Sequence, residues 1–205
     1  MGFNNEIPSV IIEKGRKRIF KKDENIYKTG GQVTKCYFIL SGIAKIYVDH
    51  ENGRRSILDF AGSCCWLGEL SLFGKEEDIK ENKVLQEINC LEFDLQELQR
   101  LCRENAMVSF YFAAYISNKL VSRSYRMSEG LNYPLNKRLA GFILKYQQQG
   151  IYEIPHTDAA EYLNVSYRHI LYVMKEFRDL GILRKEKKQG YRIVDIDKLE
   201  GMHIN

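Results

Sequence analysis

The segment from residue 156 to residue 177 constrains the fold of this chain more than any other, because it has the pattern of two short helices joined by a tight turn. Thr157 is a natural N-cap for the first helix and Ser166 for the second, since each hydroxyl can accept from a free amide of a first helical turn. Asn164 tolerates the left-handed backbone conformation that such a turn needs. The segment therefore predicts a helix-turn-helix, a unit that places its second helix in the major groove of DNA.

The second helix is predicted to have one apolar and one polar face. The inward face follows helical spacing and consists of Ile170, Val173, Met174 and Phe177. The outward residues are those that we expect to contact DNA: Ser166, Tyr167, Arg168, His169, Tyr172 and Lys175. Arg168 can donate two parallel hydrogen bonds to a guanine edge, whereas Lys175 suits a phosphate. A solvated helix face with ordinary charges is the alternative interpretation.

A β-hairpin is predicted directly after the second helix. Its strands are residues 182–185 and 191–194, and the polar turn between them ends in Gly190. Lys187 and Lys188 stand at the tip of this wing, where they can reach a phosphate. An earlier helix, opened by Pro134, has an apolar stripe that would support the unit: Leu135, Leu139, Phe142, Ile143 and Tyr146. Together these elements predict a winged helix-turn-helix.

The first half of the chain has a different pattern. From residue 19 to about residue 93, short apolar segments alternate with turns that contain glycine, at Ser41-Gly42 and Glu51-Asn52-Gly53. The segments expected to be strands are residues 36–40, 44–48, 56–60, 84–85 and 90–93. Regular short strands at this spacing predict an all-β barrel or jelly roll. The expected fold class is therefore α+β, with an N-terminal barrel and a C-terminal winged helix.

A long helix is predicted between these two parts. Asp94 and Glu97 have the spacing of a capping box for a short helix, and after Asn105 a longer helical pattern continues to about Glu129. A heptad-like seam runs along the longer helix through Phe112, Ile116, Leu120, Arg123 and Met127. We expect the apolar residues of this seam to form a homodimer contact, since a two-fold helix-turn-helix needs a partner to read a palindromic site. The alternative is that the seam packs only against its own barrel.

These elements divide the chain into three parts: a β-barrel sensory domain over residues 1–104, a long dimerisation helix and hinge over residues 105–132, and a winged-helix domain over residues 133–205. The net charge of the chain is +4. Residues 133–205 hold 12 Lys and Arg against 9 Asp and Glu, whereas the first 132 residues hold 19 against 18. The basic excess therefore leans toward the winged helix, the direction expected for a nucleic-acid partner.

A barrel, a long helix and a winged helix in this order resemble the Crp/Fnr family of bacterial transcription regulators over nearly the whole chain. The resemblance rests on Tyr37-Phe38-Ile39-Leu40-Ser41-Gly42 and on Gly68-Glu69-Leu70-Ser71-Leu72-Phe73, which is similar to the family's phosphate-binding cassette. Residues 159–169 look most like the YeiL-type regulators of the family. The resemblance implies a cytoplasmic homodimer that binds a palindromic operator in double-stranded DNA, senses a signal with its barrel and works with RNA polymerase.

The same resemblance implies a ligand pocket formed by the cassette and the long helix: Gly68, Glu69, Leu70, Arg123 and Ser124. Cyclic-nucleotide binders of the family follow the Gly-Glu-Leu turn with an Arg-Ser/Ala-Ala triplet that holds the cyclic phosphate. Here residues 76–83 contain no arginine, and Ile79-Lys80-Glu81 stands in that place after three acidic residues. We therefore expect an effector other than cyclic AMP, while the identity of the effector and of any cofactor stays open.

All five cysteines lie in the first half of the chain: Cys36, Cys64, Cys65, Cys90 and Cys102. An odd number without a regular framework indicates a reducing cytoplasm rather than secretion. Oxygen-sensing members of the family carry cluster-binding cysteines mostly near the N-terminus, and the first 35 residues here hold none. Cys64 and Cys65 are adjacent, and on a strand they would point to opposite faces. We expect buried apolar thiols, with a cluster or a redox disulfide as the alternatives.

The sequence has no membrane or catalytic pattern. No apolar run approaches the length of a membrane helix, and the first ten residues lack the pattern of a signal peptide. The four histidines form no metal-spaced pair, and there is no P-loop and no recognisable Ser/His/Asp or Cys/His set. We therefore expect a DNA-binding regulator rather than an enzyme, without catalytic residues or a metal site. The rival hypothesis is a ligand- or redox-sensing signalling module, with an iron–sulfur or thiol sensor, whose winged helix contacts a protein or RNA.

Overall fold

The computed structural model describes residues 7–28, 30–50, 55–74, 80–186 and 190–203. The chain folds into two compact units, Met1–Arg123 and Ser124–Asn205. The boundary falls within the long helix, so each unit contains one part of that helix. None of the helices in the described ranges has the length and apolarity needed to cross a membrane.

The first unit is built on an antiparallel sheet. Its strands are β1 (Arg16–Phe20), β2 (Lys35–Asp49), β3 (Arg55–Ala61), β4 (Trp66–Leu67) and β5 (Glu81–Asp94). They are hydrogen-bonded in the order β1-β5-β2-β3, with β4 paired to β2. The helical elements are α1 (Ser9–Ile12), a 3-10 turn (Glu69–Leu72), α2 (Leu95–Glu104) and α3 (Ala106–Asn132). Asp94 caps α2 by accepting from the backbone N of Glu97 at 3.1 Å, as the sequence predicts.

Strand β2 contributes to two separate apolar cores. Cys36 and Phe38 pack into the first core, and Tyr37 and Ile39 pack into the second. This alternation follows from the geometry of a strand, whose successive side chains point to opposite faces. A single strand therefore helps to close both cores of the first unit.

The prediction of a hairpin turn at Ser41-Gly42 is wrong, because β2 passes through these residues as one continuous strand. Gly42 has φ +96, and a Cβ there would lie 2.2 Å from the carbonyl oxygen of Glu87 on β5. The pairing of β2 with β5 is irregular between Ile39 and Ala44. Beyond the irregularity, even-numbered residues such as Ala44 take the side that odd-numbered residues held before it. The glycine thus marks a bulged stretch of strand rather than a chain reversal.

Other details of the strand prediction also change. Residues 84–85 and 90–93, expected as two strands, both belong to β5. The predicted turn at Glu51-Asn52-Gly53 lies outside the described residues, although β2 and β3 on either side of it pair antiparallel. The strands are therefore longer and fewer than predicted, while the region is still built from antiparallel strands.

The first part of α3 is fixed to the sheet through Trp66, which is fully buried. The backbone N of Trp66 donates to the hydroxyl of Tyr115 at 2.9 Å, and its Nε1 donates to the hydroxyl of Tyr111 at 3.0 Å. Both tyrosines lie on α3. Because a buried indole N–H and a buried amide need partners, these two hydrogen bonds specify how the helix is seated.

The second unit combines four further helices with a three-stranded sheet: α4 (Leu135–Tyr146), β6 (Ile151–Tyr152), α5 (His156–Tyr162), α6 (Tyr167–Asp179), β7 (Leu183–Lys185), β8 (Tyr191–Ile193) and α7 (Ile196–Met202). The sheet order is β6-β8-β7, so the predicted hairpin strands pair as expected and a third strand joins them. The apolar stripe predicted for α4 is buried: Leu135, Leu139, Phe142, Ile143 and Tyr146. Strand β6 and helix α7 were not predicted from the sequence, since they span only two and seven residues.

Candidate DNA-binding surface and ligand cleft

The two helices of the predicted helix-turn-helix are α5 and α6. Asn164 in the turn between them has φ +54, the left-handed conformation expected of it. Ser166 caps α6, since its Oγ accepts from a backbone N of the first turn at 3.2 Å. The predicted cap at Thr157 is wrong, because α5 already begins at His156, behind Pro155. Proline suits the entrance of a helix, since its ring fixes φ and it has no N–H to leave without a partner.

Helix α6 has one buried and one exposed face. The buried side chains are those predicted: Ile170, Val173, Met174 and Phe177. The side chains expected to contact DNA are all exposed: Ser166, Tyr167, Arg168, His169, Tyr172 and Lys175. Arg168, Tyr172 and Lys175 are spaced four and three residues apart and so share the middle of the exposed face. Tyr167 and His169 lie at its two borders, which makes the first three residues the best placed for a groove.

Two arginines contact one glutamate on the wing formed by β7 and β8. Arg184 and Arg192 are cross-strand neighbours. The Nε of Arg192 lies 2.9 Å from the Oε1 of Glu186, and the Nη2 of Arg184 lies 3.7 Å from it. The hydrogen bond from Arg192 lowers the pKa of the Glu186 carboxyl. Arg184 and Arg192 were not among the predicted site residues, although each predicted wing strand carries an arginine.

The predicted wing-tip contacts, Lys187 and Lys188, lie outside the described residues.

A small cleft opens on the first unit, and four of the five predicted pocket residues line it. The described residues that line it are Tyr27, Val33, Ile46, Leu67, Gly68, Glu69, Leu70, Lys80, Asn82, Lys119 and Arg123. The structure therefore brings Gly68, Glu69 and Leu70 together with Arg123, which is distant from them in the sequence. Ser124, the fifth predicted residue, is exposed and is the first residue of the second unit.

Two ion pairs join α3 to other elements of the first unit, one to the 3-10 turn and one to β3. The Nζ of Lys119 lies 2.7 Å from the Oε1 of Glu69, whose side chain is 3 % exposed. The Nε of Arg123 lies 3.5 Å from the Oδ2 of Asp59, whose side chain is 11 % exposed. Each buried carboxylate thus has a cation from the long helix to offset the loss of hydration. Lys119 and Asp59 were not among the predicted site residues, because nothing in their spacing indicates that they meet Glu69 and Arg123.

The backbone at the mouth of the cleft depends on glycine. Gly68 has φ +83, and a Cβ there would lie 2.4 Å from the hydroxyl oxygen of Tyr27. That hydroxyl is 2.7 Å from the carbonyl oxygen of Lys35 and 3.2 Å from that of Leu67. The tyrosine therefore closes the turn that carries Glu69 into the cleft, and only a residue without a side chain fits beside it.

The predicted dimer seam on α3 is divided by the structure. Phe112 is a correction: it is fully buried and its ring centre lies 5.0 Å from that of Trp66, so it belongs to the first core and not to a partner contact. Ile116 is half-buried, whereas Leu120 and Met127 are exposed. The exposed apolar side chains of the helix are more numerous than the seam suggests: Met107, Phe110, Leu120, Val121, Tyr125, Met127 and Leu131. The seam predicted from the sequence therefore combines residues from the core-facing side of α3 with residues from the adjacent, exposed side.

The cysteines do not form one cluster. Burial raises the pKa of the Cys36 thiol, and it raises that of Cys90 to about 11, so both are held as neutral thiols. Cys64 is exposed, with φ +63, and stands with Cys65 in a turn before β4, so the argument from strand geometry does not apply to them. Within the described ranges, no group of three His, Cys, Asp or Glu side chains could hold a metal ion.

Two family models match the chain, one in each half. The cyclic nucleotide-binding domain matches residues 17–105. The Crp-like helix-turn-helix domain matches residues 137–202. The first match contains the cassette residues of the cleft, and the second contains α5, α6 and the wing.

The regulatory protein YeiL from Escherichia coli O157:H7 is 33 % identical over 185 residues, which cover 90 % of this chain and 84 % of that protein. The chain belongs to the Crp/Fnr family of transcription regulators. A second relative is the cAMP-activated global transcriptional regulator Vfr from Pseudomonas aeruginosa. It is 23 % identical over 138 residues, which cover 65 % of this chain and 64 % of Vfr. Among solved structures, FixK2 from Bradyrhizobium japonicum has a TM-score of 0.76 at 16 % identity, over 93 % of this chain and 98 % of that one.

These findings confirm the main predictions for this Crp/Fnr regulator. The fold class is α+β, with a cyclic-nucleotide-binding-like sensing domain followed by a helix-turn-helix domain. The resemblance to YeiL-type members is also confirmed. The individual DNA-contacting, ligand-pocket and dimer residues remain predictions, as do the domain limits at residues 104 and 132.

Proposed function

We propose that this Crp/Fnr regulator is a cytoplasmic homodimer that binds a palindromic operator through α6 of each chain and acts with RNA polymerase, without a catalytic step of its own. The observation that carries this proposal is the exposed face of α6. It presents Arg168, Tyr172 and Lys175 side by side, opposite the face that packs into the domain. An arginine of this kind suits a guanine edge, and the lysine suits a phosphate.

Selection of bound duplexes from a randomised DNA pool, followed by affinity measurements at one salt concentration, tests the proposal. We expect a palindromic consensus, and we expect Arg168→Ala to weaken binding by about tenfold and to relax the preference at one base pair of each half-site. Lys175→Ala should weaken binding to all sequences by a similar factor, because a phosphate contact carries no base information. Arg103→Ala, an exposed change on α2, is the control.

The outcome against the proposal is a protein that binds all duplexes equally, with an affinity that depends only on salt. Selection of a protein or of single-stranded RNA in preference to any duplex would favour the rival signalling module instead.

The effector is proposed to bind in the cleft of the first unit and to differ from cyclic AMP. Two features support the expected difference from cyclic AMP. Glu69 is already paired with Lys119 at 2.7 Å, so it has no need of a ligand to offset its charge. Residues 80–83, the described part of the segment where relatives place the phosphate-binding arginine, supply no arginine. The remaining part of that segment, including Ile79, lies outside the described residues.

Isothermal titration with cyclic AMP checks this proposal directly. We expect no binding at concentrations up to about 1 mM, the range in which an ion-paired cleft without a phosphate clamp gives little affinity. Binding in the micromolar range would contradict it and would bring the chain into line with Vfr. A titration of Lys119→Ala alongside the wild type shows whether the internal ion pair is what closes the cleft to a nucleotide.

A further inference from the structure

Tyr162 is the last residue of α5, and one arginine of the long helix contacts it in two ways. The Nη1 of Arg126 donates to the Tyr162 hydroxyl at 2.6 Å. The guanidinium carbon of the same arginine lies 4.6 Å from the centre of the tyrosine ring. A charge-assisted hydrogen bond and a cation–π contact therefore join the same two side chains. Both residues belong to the second unit, which contains the end of α3 that carries Arg126.

Helix α4 holds the ring of Tyr162 in place. The centre of the Tyr162 ring lies 5.1 Å from the ring centre of Phe142 and 6.2 Å from that of Tyr146. The hydroxyls of Tyr162 and Tyr146 are 3.3 Å apart. Aromatic rings at these separations attract one another beyond the area that they bury. Arg126 thus binds a side chain whose position is fixed by the core of the second unit.

A second arginine acts on the next residue of the chain. The Nη1 of Arg138 on α4 donates to the carbonyl oxygen of Leu163 at 2.8 Å, and its Nε donates to that of Tyr133 at 3.1 Å. Leu163 is the C-cap of α5, where helix carbonyls lack partners within the helix. The left-handed turn at Asn164 follows at once and leads to α6. The end of α3, the start of α4 and the entrance to α6 therefore meet at Tyr162 and Leu163.

We infer from these contacts that Arg126 is a positioning residue: by holding Tyr162 it fixes the direction of α6 relative to the end of α3. The inference rests on the proposed function, since it concerns a dimer whose two α6 helices enter one palindrome. Half-sites of such a palindrome lie about one helical turn of DNA, roughly 34 Å, apart. A loosened α6 can still enter a single half-site, but two loosened helices must be ordered together before they fit both.

The test compares a full palindrome with a single half-site, both taken from the duplexes that the wild-type chain selects. Affinities for both duplexes, and melting temperatures, are measured for Arg126→Ala, Tyr162→Phe and the double variant. We expect Arg126→Ala to weaken binding to the palindrome by about tenfold, the effect of one charge-assisted hydrogen bond, and to leave half-site binding unchanged. Tyr162→Phe keeps the ring packing and should give most of the same loss. The double variant should lose no more than Arg126→Ala alone, because both changes remove one contact.

Equal losses on the palindrome and the half-site would overturn the inference, since they would indicate a general loss of folding or of DNA contacts. Unchanged palindrome affinity in a folded Arg126→Ala protein would overturn it too. If Arg126→Ala does not fold, Tyr162→Phe decides by the same comparison. Failure of the proposed function itself would appear differently, as a wild-type chain that prefers no palindrome over its half-site. Arg103→Ala serves as the control for removal of one positive charge.

Discussion

Glu69 and Lys119 form an ion pair at 2.7 Å, with 3 % and 21 % of their side chains exposed. The pair of Lys21 and Glu87 is as short, at 2.6 Å, but 68 % and 49 % exposed. Water screens the second pair much more than the first, so their contributions to stability differ although their distances are alike. Breaking a buried pair leaves a charge that has lost both its hydration and its partner. The two pairs therefore differ in burial while their N–O distances are nearly the same.

Glu69→Gln should lower the free energy of unfolding of the first unit by about 2 kcal/mol, less than a fully buried pair would lose, because Lys119 keeps some contact with water. Glu87→Gln should change it by less than about 0.5 kcal/mol. Urea unfolding followed by the fluorescence of Trp66 measures both, since this is the single tryptophan of the chain and it lies in the first unit. Equal losses for the two variants would mean that the cleft is as well hydrated as the surface.

Helix α3 has different chemistry on its two sides. Its inner side is committed to the first unit, where Tyr111 bonds to Trp66 and Phe112 is fully buried. Its outer side leaves large apolar groups in water, including Phe110 at 67 % and Val121 at 52 % exposure. Exposed apolar groups that recur along one helix are the usual sign of a helix partner. A second copy of α3 is the partner that fits the proposed dimer.

Val121→Lys should convert a dimer into a monomer and weaken palindrome binding, because a buried ammonium at a helix–helix contact has no partner to offset its desolvation. Ile19→Lys is the matched control. Ile19 lies on β1 and is 50 % exposed, so this variant also replaces a half-exposed β-branched side chain with lysine. Sedimentation equilibrium gives the mass of each variant. A Val121→Lys protein that remains dimeric would place the dimer contact on another surface.

At the scale of the whole molecule, the order of the two units could be predicted because each rests on a local pattern. The serine cap at Ser166 and the apolar spacing of α6 are properties of neighbouring residues, and both are confirmed. Two of the errors arose where the outcome depends on distant residues. Gly42 looks like a turn residue until Glu87 is placed beside it, and Phe112 looks like a seam residue until Trp66 is packed against it.

The candidate sites divide in the same way. The cassette residues Gly68 to Leu70 are contiguous and were predicted together, whereas their partner Lys119 comes from 50 residues further along the chain. The contact of Arg126 with Tyr162 spans 36 residues and has no signature in the sequence. Pairwise charge and cation–π contacts between distant elements depend on tertiary packing, so a single sequence does not specify them.

The alternation of β2 between two cores limits how the length of this strand can vary. Loss or gain of one residue within β2 before Ile39 would move Tyr37 and Phe38 to opposite faces of the sheet. Both cores would then be disturbed at once. The bulged stretch around Gly42 is different, because the side assignment already shifts there by one position. Loss of one residue at that point would place Ile39 and Ala44 four positions apart, and an even separation keeps them on the same side of a strand. Insertions and deletions that survive in related sequences should therefore cluster at the bulge and be absent from the strand before it.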